Sequence, residues 1–376
     1  MRVLLLHENA ESLPQLAAAL SERVELEAVR VANPAWYARA RLRRDAGFAW
    51  AEYRGERWQR LVPVPGLRRF PGASEWLLRR ILRGAVRRFE PDVVLVDTPY
   101  LGPMLEAVPT PVGYLAADAY QYYGWDRRRT MELEDVLLER SAVVFAVSHR
   151  LAEDFRKRGA SRVVQLGTAV SRRFVAACRE AAAVPEAGSA PTAPAELAAI
   201  AGPRVGVVGM INRTYDWGLI EALAGARPGV SFVFVGPIQE EIGAERRHIE
   251  RVLGLGNVHW LGGRAHAELP RYLGGCEVLF NPLRADAHAD RRFPLRLCEY
   301  AATDRPVLST AIHELPWFPA DFVAIESREV AGERLDEALG LVGRIDVEGR
   351  GRWIEGNTWD ARAEQVVGVL EGVLGG

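Results

Sequence analysis

A chain of 376 residues is longer than one hydrophobic core usually serves, so two domains are expected. With 48 basic and 49 acidic side chains the formal net charge is −1, which excludes a bulk pull toward nucleic acid and leaves any electrostatic specialisation to local clusters. The three widely spaced cysteines, Cys178, Cys276 and Cys298, fit no zinc or disulfide framework and point to a reducing, cytoplasmic setting.

The opening "MRVLLL" stops at "HENAES", too short for a signal-peptide core, and reads as a first strand. No apolar stretch approaches the roughly 20 residues of a membrane span. Further strand-like runs follow at 92–96 ("DVVLV"), 111–116 ("PVGYLA"), 142–148 ("AVVFAVS") and 162–166 ("RVVQL"), with helical patterns at 73–89 and 149–159. Continuous apolar strands alternating with helices predict a parallel sheet covered on both faces, a Rossmann-like domain over 1–177.

Residues 178–203, "CREAAAVPEAGSAPTAPAELAAIAGP", are biased to Ala, Pro and Gly and are read as a linker with one short helix at 194–201. Strand-like runs then resume at 204–209, 231–236, 257–262, 277–282 and 306–310, interleaved with helical patterns, which predicts a second Rossmann-like domain over 204–357. The last helix, 358–374 within a terminal segment 358–376, is expected to pack back toward the first domain. The fold class is therefore α/β, two doubly wound parallel sheets facing each other across a cleft, where the carboxyl ends of the strands bind ligand.

One helix carries the chemistry. In "RRFPLRLCEYAATDRPVLST" (291–310), stepping about 100° per residue puts Leu295, Leu297, Cys298, Ala301 and Ala302 on one broad arc and leaves Arg296, Glu299 and Thr303 on a thin polar strip. Pro294 suits the first turn, so the helix is expected to begin just after Arg291 and Arg292. An intrahelical Arg296–Glu299 pair is the plain explanation, but a mostly buried helix keeps charges only where good partners offset their desolvation. Arginine and a helix start suit phosphate, and a carboxylate accepts from two neighbouring ribose hydroxyls, so the strip is read as a nucleoside-diphosphate site.

Pro294, Arg296, Leu297, Glu299, Tyr300, Pro306, Val307, Ser309 and Thr310 match the helix "P-x-K-L-x-E-Y" followed by "PV-x-ST". In these residues the chain resembles nucleotide-sugar-dependent glycosyltransferases of the GT-B architecture, the bacterial family 1 and family 4-like branch of teichuronic-acid and xanthan type. "VGVVGMI" (205–211), "FVFVGP" (232–237), "NVHWLGGR" (257–264) and "ELPRYLGGCEVLFNPL" (268–283) extend the resemblance through the second domain, and the first domain follows it in outline. The resemblance implies a transferase that moves a sugar from a nucleoside-diphosphate sugar to an acceptor hydroxyl, with Glu299 on the donor ribose and Arg296 on the diphosphate. It also brings Gly209, Met210, Asn212 and Arg213 near donor phosphate, with Arg264, Pro294 and Leu295 on the donor side. Many relatives carry a second glutamate eight residues before Glu299, where this chain has Arg291.

Asp118 follows the run "PVGYLA" and is read as the base that takes the acceptor proton, or as a helix-capping aspartate. His7, Glu8 and Tyr100 are read as acceptor-side residues. The acidic and histidine-bearing "DAHAD" (286–290) suggests a metal site, but the resemblance implies a metal-independent reaction, with no cofactor beyond the sugar nucleotide as co-substrate. Residues 30–90 are dense in arginine and hold Trp36, Trp50, Trp58 and Trp76, a composition that suits peripheral contact with an anionic membrane and equally a solvated face. A nucleotide-sugar epimerase of the same architecture and a non-catalytic nucleotide-sugar-binding protein are the alternative readings.

Overall fold

The computed structural model describes residues 1–8, 13–32, 59–63, 71–182, 193–239 and 245–375. Two compact units emerge: Met1–Thr168 with Arg291–Phe293 and Trp359–Gly376, and Ala169–Asp290 with Pro294–Thr358.

The first unit is built on seven parallel strands, β1 (Arg2–His7), β2 (Glu25–Ala32), β3 (Gln59–Pro63), β4 (Val93–Val96), β5 (Val112–Ala116), β6 (Val143–Ala146) and β7 (Val163–Gln165), ordered β3-β2-β1-β4-β5-β6-β7. The runs of β1, β4, β5 and β6 are buried on both faces, as an apolar strand between two helical layers must be. β2 has no continuous apolar run, because "ELEAVRVA" interleaves charges with its apolar positions; Arg30 is buried there nonetheless. Buried Trp359, Ala363, Val366 and Leu370 recur at helical spacing on the final helix, Trp359–Leu374, which packs on the Leu13–Ser21 helix within this unit. A polar knot lies inside the same unit. Glu134, fully buried on the Arg127–Arg140 helix, accepts from Arg158 and from Tyr114 Oη at 3.0 Å, and burial pushes its carboxyl above the usual range.

The second unit holds β8 (Arg204–Val208), β9 (Ser231–Val235), β10 (Val258–Trp260), β11 (Val278–Asn281), β12 (Val307–Thr310) and β13 (Val323–Ile325), all parallel and ordered β10-β9-β8-β11-β12-β13. The division between units falls after Thr168, ahead of the Ala/Pro-rich stretch. The Arg172–Ala182 helix buries Phe174, Val175 and Cys178 and packs on the Leu269–Gly274 helix of the second unit. Residues 183–192 of that stretch lie outside the described residues; the rest of it includes a short helix, Ala195–Ala198.

Each sheet reverses its winding between its first and fourth strands, at β1/β4 and at β8/β11, and a doubly wound sheet opens a crevice for ligand at that point. In the second unit the turn leaving β8 is therefore the place to look for a site.

Candidate functional site

Val208 ends β8 and the backbone turns at Gly209, where φ is +130°, a conformation that glycine adopts without cost. The turn is tied on one side to β9: Gly209 N donates to Val235 O at 2.9 Å and Ile211 N to Pro237 O at 2.9 Å. Gly236 makes the approach close, because a Cβ there would overlap the carbonyl oxygen of Gly209. Tyr300 secures the other side. Its buried hydroxyl accepts from Val208 N at 2.9 Å, so the Leu295–Ala301 helix is pinned to the last residue of β8.

That pin sets Arg296 beside the turn. A Cβ on Gly209 would lie 2.7 Å from Arg296 Nη2, which means the guanidinium rests directly against the glycine backbone. Beneath it lies Tyr215, with the guanidinium carbon 4.7 Å from the ring centroid and Nη2 donating to the Tyr215 hydroxyl. Tyr215 in turn donates to Met210 O at 2.7 Å, closing a loop of contacts around the turn. Arg296 Nε is buried and has no hydrogen-bond partner. A buried N–H of a cation left without an acceptor is costly, and it invites an anion.

Arg296 and Glu299 do not pair with each other. Glu299, with a side chain 15% exposed, instead meets His266, whose Nε2 stands 2.7 Å from Oε1. The plain reading of the polar strip as an intrahelical pair is thereby replaced by two separate contacts on one helix edge. The helix itself begins at Leu295, with Pro294 as its N-cap at ψ 118°, one residue outside the first turn that its sequence suggests.

Asn212 uses its carboxamide oxygen locally, accepting from Thr214 N and Oγ1, while its backbone carbonyl accepts from Trp217 Nε1 at 3.1 Å. Arg213 is exposed beside it. Arg264 is engaged elsewhere: Nε donates to Tyr272 Oη at 2.6 Å and Nη2 to Glu196 at 3.2 Å. In "DAHAD", Asp286 accepts from the backbone N–H groups of His288 and Ala289, and Asp290 from that of His313.

In the first unit, Asp118 leaves β5 and is 7% exposed. Its Oδ1 accepts from Ala119 N at 2.7 Å, its Oδ2 from Tyr123 Oη at 2.8 Å, and Arg292 Nε lies 3.7 Å away. Around it, Tyr120 and Trp125 stack at 5.6 Å and Tyr123 meets Trp125 at 5.1 Å. His7 is buried at the end of β1, and Glu8 N donates to the Asp97 carboxylate at 3.0 Å. Tyr100 bonds Thr130 Oγ1 at 3.1 Å and is set edge-on to Trp125. Arg291, in the place of the relatives' glutamate, donates to Asp154 at 2.6 Å and lies over the Tyr122 ring.

Three residues of the site were not singled out for a role by the sequence: Tyr215, His266 and Tyr300. Tyr300 stands in the matched motif with no role attached to it there; nothing local marks Tyr215 or His266.

Residues 202–322, about a third of the chain, match the family described as Glycosyl transferases group 1. A Bacillus subtilis protein provisionally described as the teichuronic acid biosynthesis glycosyltransferase TuaH is 27% identical over 146 residues, 35% of this chain and 36% of that protein. The match thus spans about a third of the curated relative. Among solved structures, Anabaena HepE in complex with UDP is similar with a TM-score of 0.69 and 14% identity, over 99% of this chain and 100% of that one. Sucrose-phosphate synthase from Thermosynechococcus elongatus gives 0.72 and 16%, over 100% and 99%. At such identities the likeness establishes the fold, two Rossmann-like domains of the GT-B type.

Proposed function

Because residues 202–322 match the group 1 glycosyl transferases, we propose that the chain moves a sugar from a nucleoside-diphosphate sugar to an acceptor hydroxyl. The observation that carries this reading is the Arg296 guanidinium, held against the glycine turn after β8 with a buried Nε lacking an acceptor. A diphosphate brought to that turn supplies the missing oxygen, and Glu299 on the same helix edge accepts from the ribose. The UDP in the structure of Anabaena HepE supports a nucleotide as the ligand class.

In the reaction so read, the bond from the anomeric carbon to the diphosphate oxygen breaks and its electron pair leaves with the diphosphate. The acceptor oxygen bonds to the anomeric carbon and gives its proton to Asp118. Arg296 stabilises the charge gathering on the leaving group, a role that strengthens toward the transition state. The sugar nucleotide is the co-substrate and the reading calls for no further cofactor. The tyrosine and tryptophan rings flanking Asp118 offer flat apolar faces that suit the C–H face of a sugar acceptor.

An anionic membrane is the further partner proposed. Of the Arg/Trp-rich stretch, Trp36, Trp50 and Trp58 lie outside the described residues. The described Pro71–Phe89 helix exposes Trp76, Arg80, Arg83 and Arg87 at helical spacing, one stripe of the kind that meets lipid headgroups.

Two variants test the central reading. Glu299→Ala should weaken UDP binding by about tenfold or more in calorimetry, the loss of a charged hydrogen-bond acceptor. Asp118→Asn should lower transfer at least about a hundredfold while leaving UDP affinity within about twofold. Unchanged UDP affinity in the first variant would remove the assignment; UDP binding without transfer or hydrolysis of any sugar nucleotide would favour a binding protein.

A further inference from the structure

The carboxylate assigned above to the ribose already has a ligand. His266 opens the short turn His266–Glu268 beyond β10, and its Nε2 lies 2.7 Å from Glu299 Oε1 across 33 residues of chain. The imidazole is held from its flat side as well: the Phe174 ring, on the Arg172–Ala182 helix, has its centroid 4.9 Å from the imidazole centroid at 33°. Phe174 therefore fixes the plane of the ring and Glu299 receives its edge. A half-exposed histidine constrained on two sides is an arrangement, and a freely rotating surface side chain would show neither contact.

We propose that His266 is a positioning residue for Glu299, an internal stand-in for the ribose diol that holds the carboxylate in the free protein and yields it when nucleotide binds. The inference rests on the reading of Glu299 as the ribose-binding carboxylate. Two neighbouring hydroxyls donate best to both oxygens of one carboxylate, so the bond to Oε1 competes with one of them. A neutral imidazole competes with an ordinary hydrogen bond; a protonated one competes with a charge-assisted bond about twice as strong. Nucleotide affinity should therefore fall as the pH drops through the histidine range.

The other charged groups facing this pair do not share that behaviour. Arg296 on the Glu299 helix is a guanidinium, which keeps its charge throughout this range, and Arg264 on the same loop as His266 is held by Tyr272 and Glu196. Glu268 accepts from Ala265 N within the turn. The Cys178 thiol, behind Phe174 on its helix, is pushed up to about 12 by burial and then by Glu299 and Asp304, so it remains protonated. Imidazole is the kind of side chain whose charge changes between about pH 5.5 and about pH 8.

The test is calorimetric titration with UDP of the wild type, His266→Gln and Glu299→Gln at those two pH values. The β-phosphate of UDP itself titrates near pH 6, so the readout is the ratio of Kd values for wild type and variant at one pH, in which that titration cancels. His266→Gln keeps a neutral N–H donor without the charge. Its Kd should match the wild type within about twofold at pH 8 and be about fivefold tighter at pH 5.5, the gain from losing a charge-assisted competitor. A ratio that does not move between the two pH values overturns the role of His266. If Glu299→Gln binds UDP like the wild type at both, the ribose assignment itself has failed, an outcome distinct from the first.

Discussion

Gly236 shows how much of the site depends on an absent side chain. Its Cβ would collide with backbone, the Gly209 carbonyl, and not with a side chain that can swing aside. Gly236→Ala should therefore cost about 3 kcal/mol, the upper end of overpacking penalties, read as a lowered urea midpoint; an unchanged midpoint would show that the two turns are not in contact. Single residues of this kind were unequally legible. Arg296 and Glu299 stood out because a charged strip on an apolar helix breaks the periodicity. Their actual partners did not, because Tyr215 lies 81 residues from Arg296 and His266 lies 33 from Glu299, distances over which only the folded chain decides who meets whom. Asn212 keeps its carboxamide oxygen within its own loop, and Arg264 reaches Tyr272 and Glu196, contacts that a motif does not reveal.

Among the elements, the strands that run apolar on both faces were read from the sequence with little error, since a parallel sheet between helices leaves no polar face to confuse the pattern. Strands at or near an edge escaped: β2 and β3 in the first sheet, β13 in the second, where charge or brevity hides the run. The helix Arg127–Arg140 escaped for the same reason, its "RRRTMELEDVLLER" being dominated by charge. Yet that helix carries the buried Glu134, whose cationic partner Arg158 stands just beyond the His149–Lys157 helix. Arg158→Ala leaves Glu134 buried without its cation and should destabilise the protein by about 3 kcal/mol in urea unfolding. Replacing both, Arg158→Met with Glu134→Leu, should recover most of that loss; a double variant no better than the single one would refute the pairing.

At the scale of the whole molecule, the formal charge of −1 conceals strong local segregation, and the Pro71–Phe89 stripe is its clearest case. No helix among the described residues is long and apolar enough to cross a membrane. Each arginine near an anionic bilayer contributes about 1 kcal/mol, so Arg80→Gln with Arg83→Gln should lower partitioning onto phosphatidylglycerol vesicles about thirtyfold, and leave phosphatidylcholine vesicles unaffected. Co-sedimentation of the two proteins measures this, and equal partitioning would refute the stripe as a lipid contact. The two-sheet plan was visible in the sequence as two rounds of strand and helix, whereas the point of division was not: the linker composition begins at 178, but burial of Phe174, Val175 and Cys178 attaches the preceding helix to the second sheet.

The course of the chain through these units limits how the protein can be taken apart. Residues 291–293 and 359–376 belong with a sheet whose strands end near residue 165, so no single cut yields two intact halves. A fragment ending at 177 would lack the Trp359–Leu374 helix and bare the greasy side of Leu13–Ser21 to water, inviting precipitation. Dissection of the protein is better attempted by moving the Trp359–Leu374 helix ahead of the first strand than by trimming.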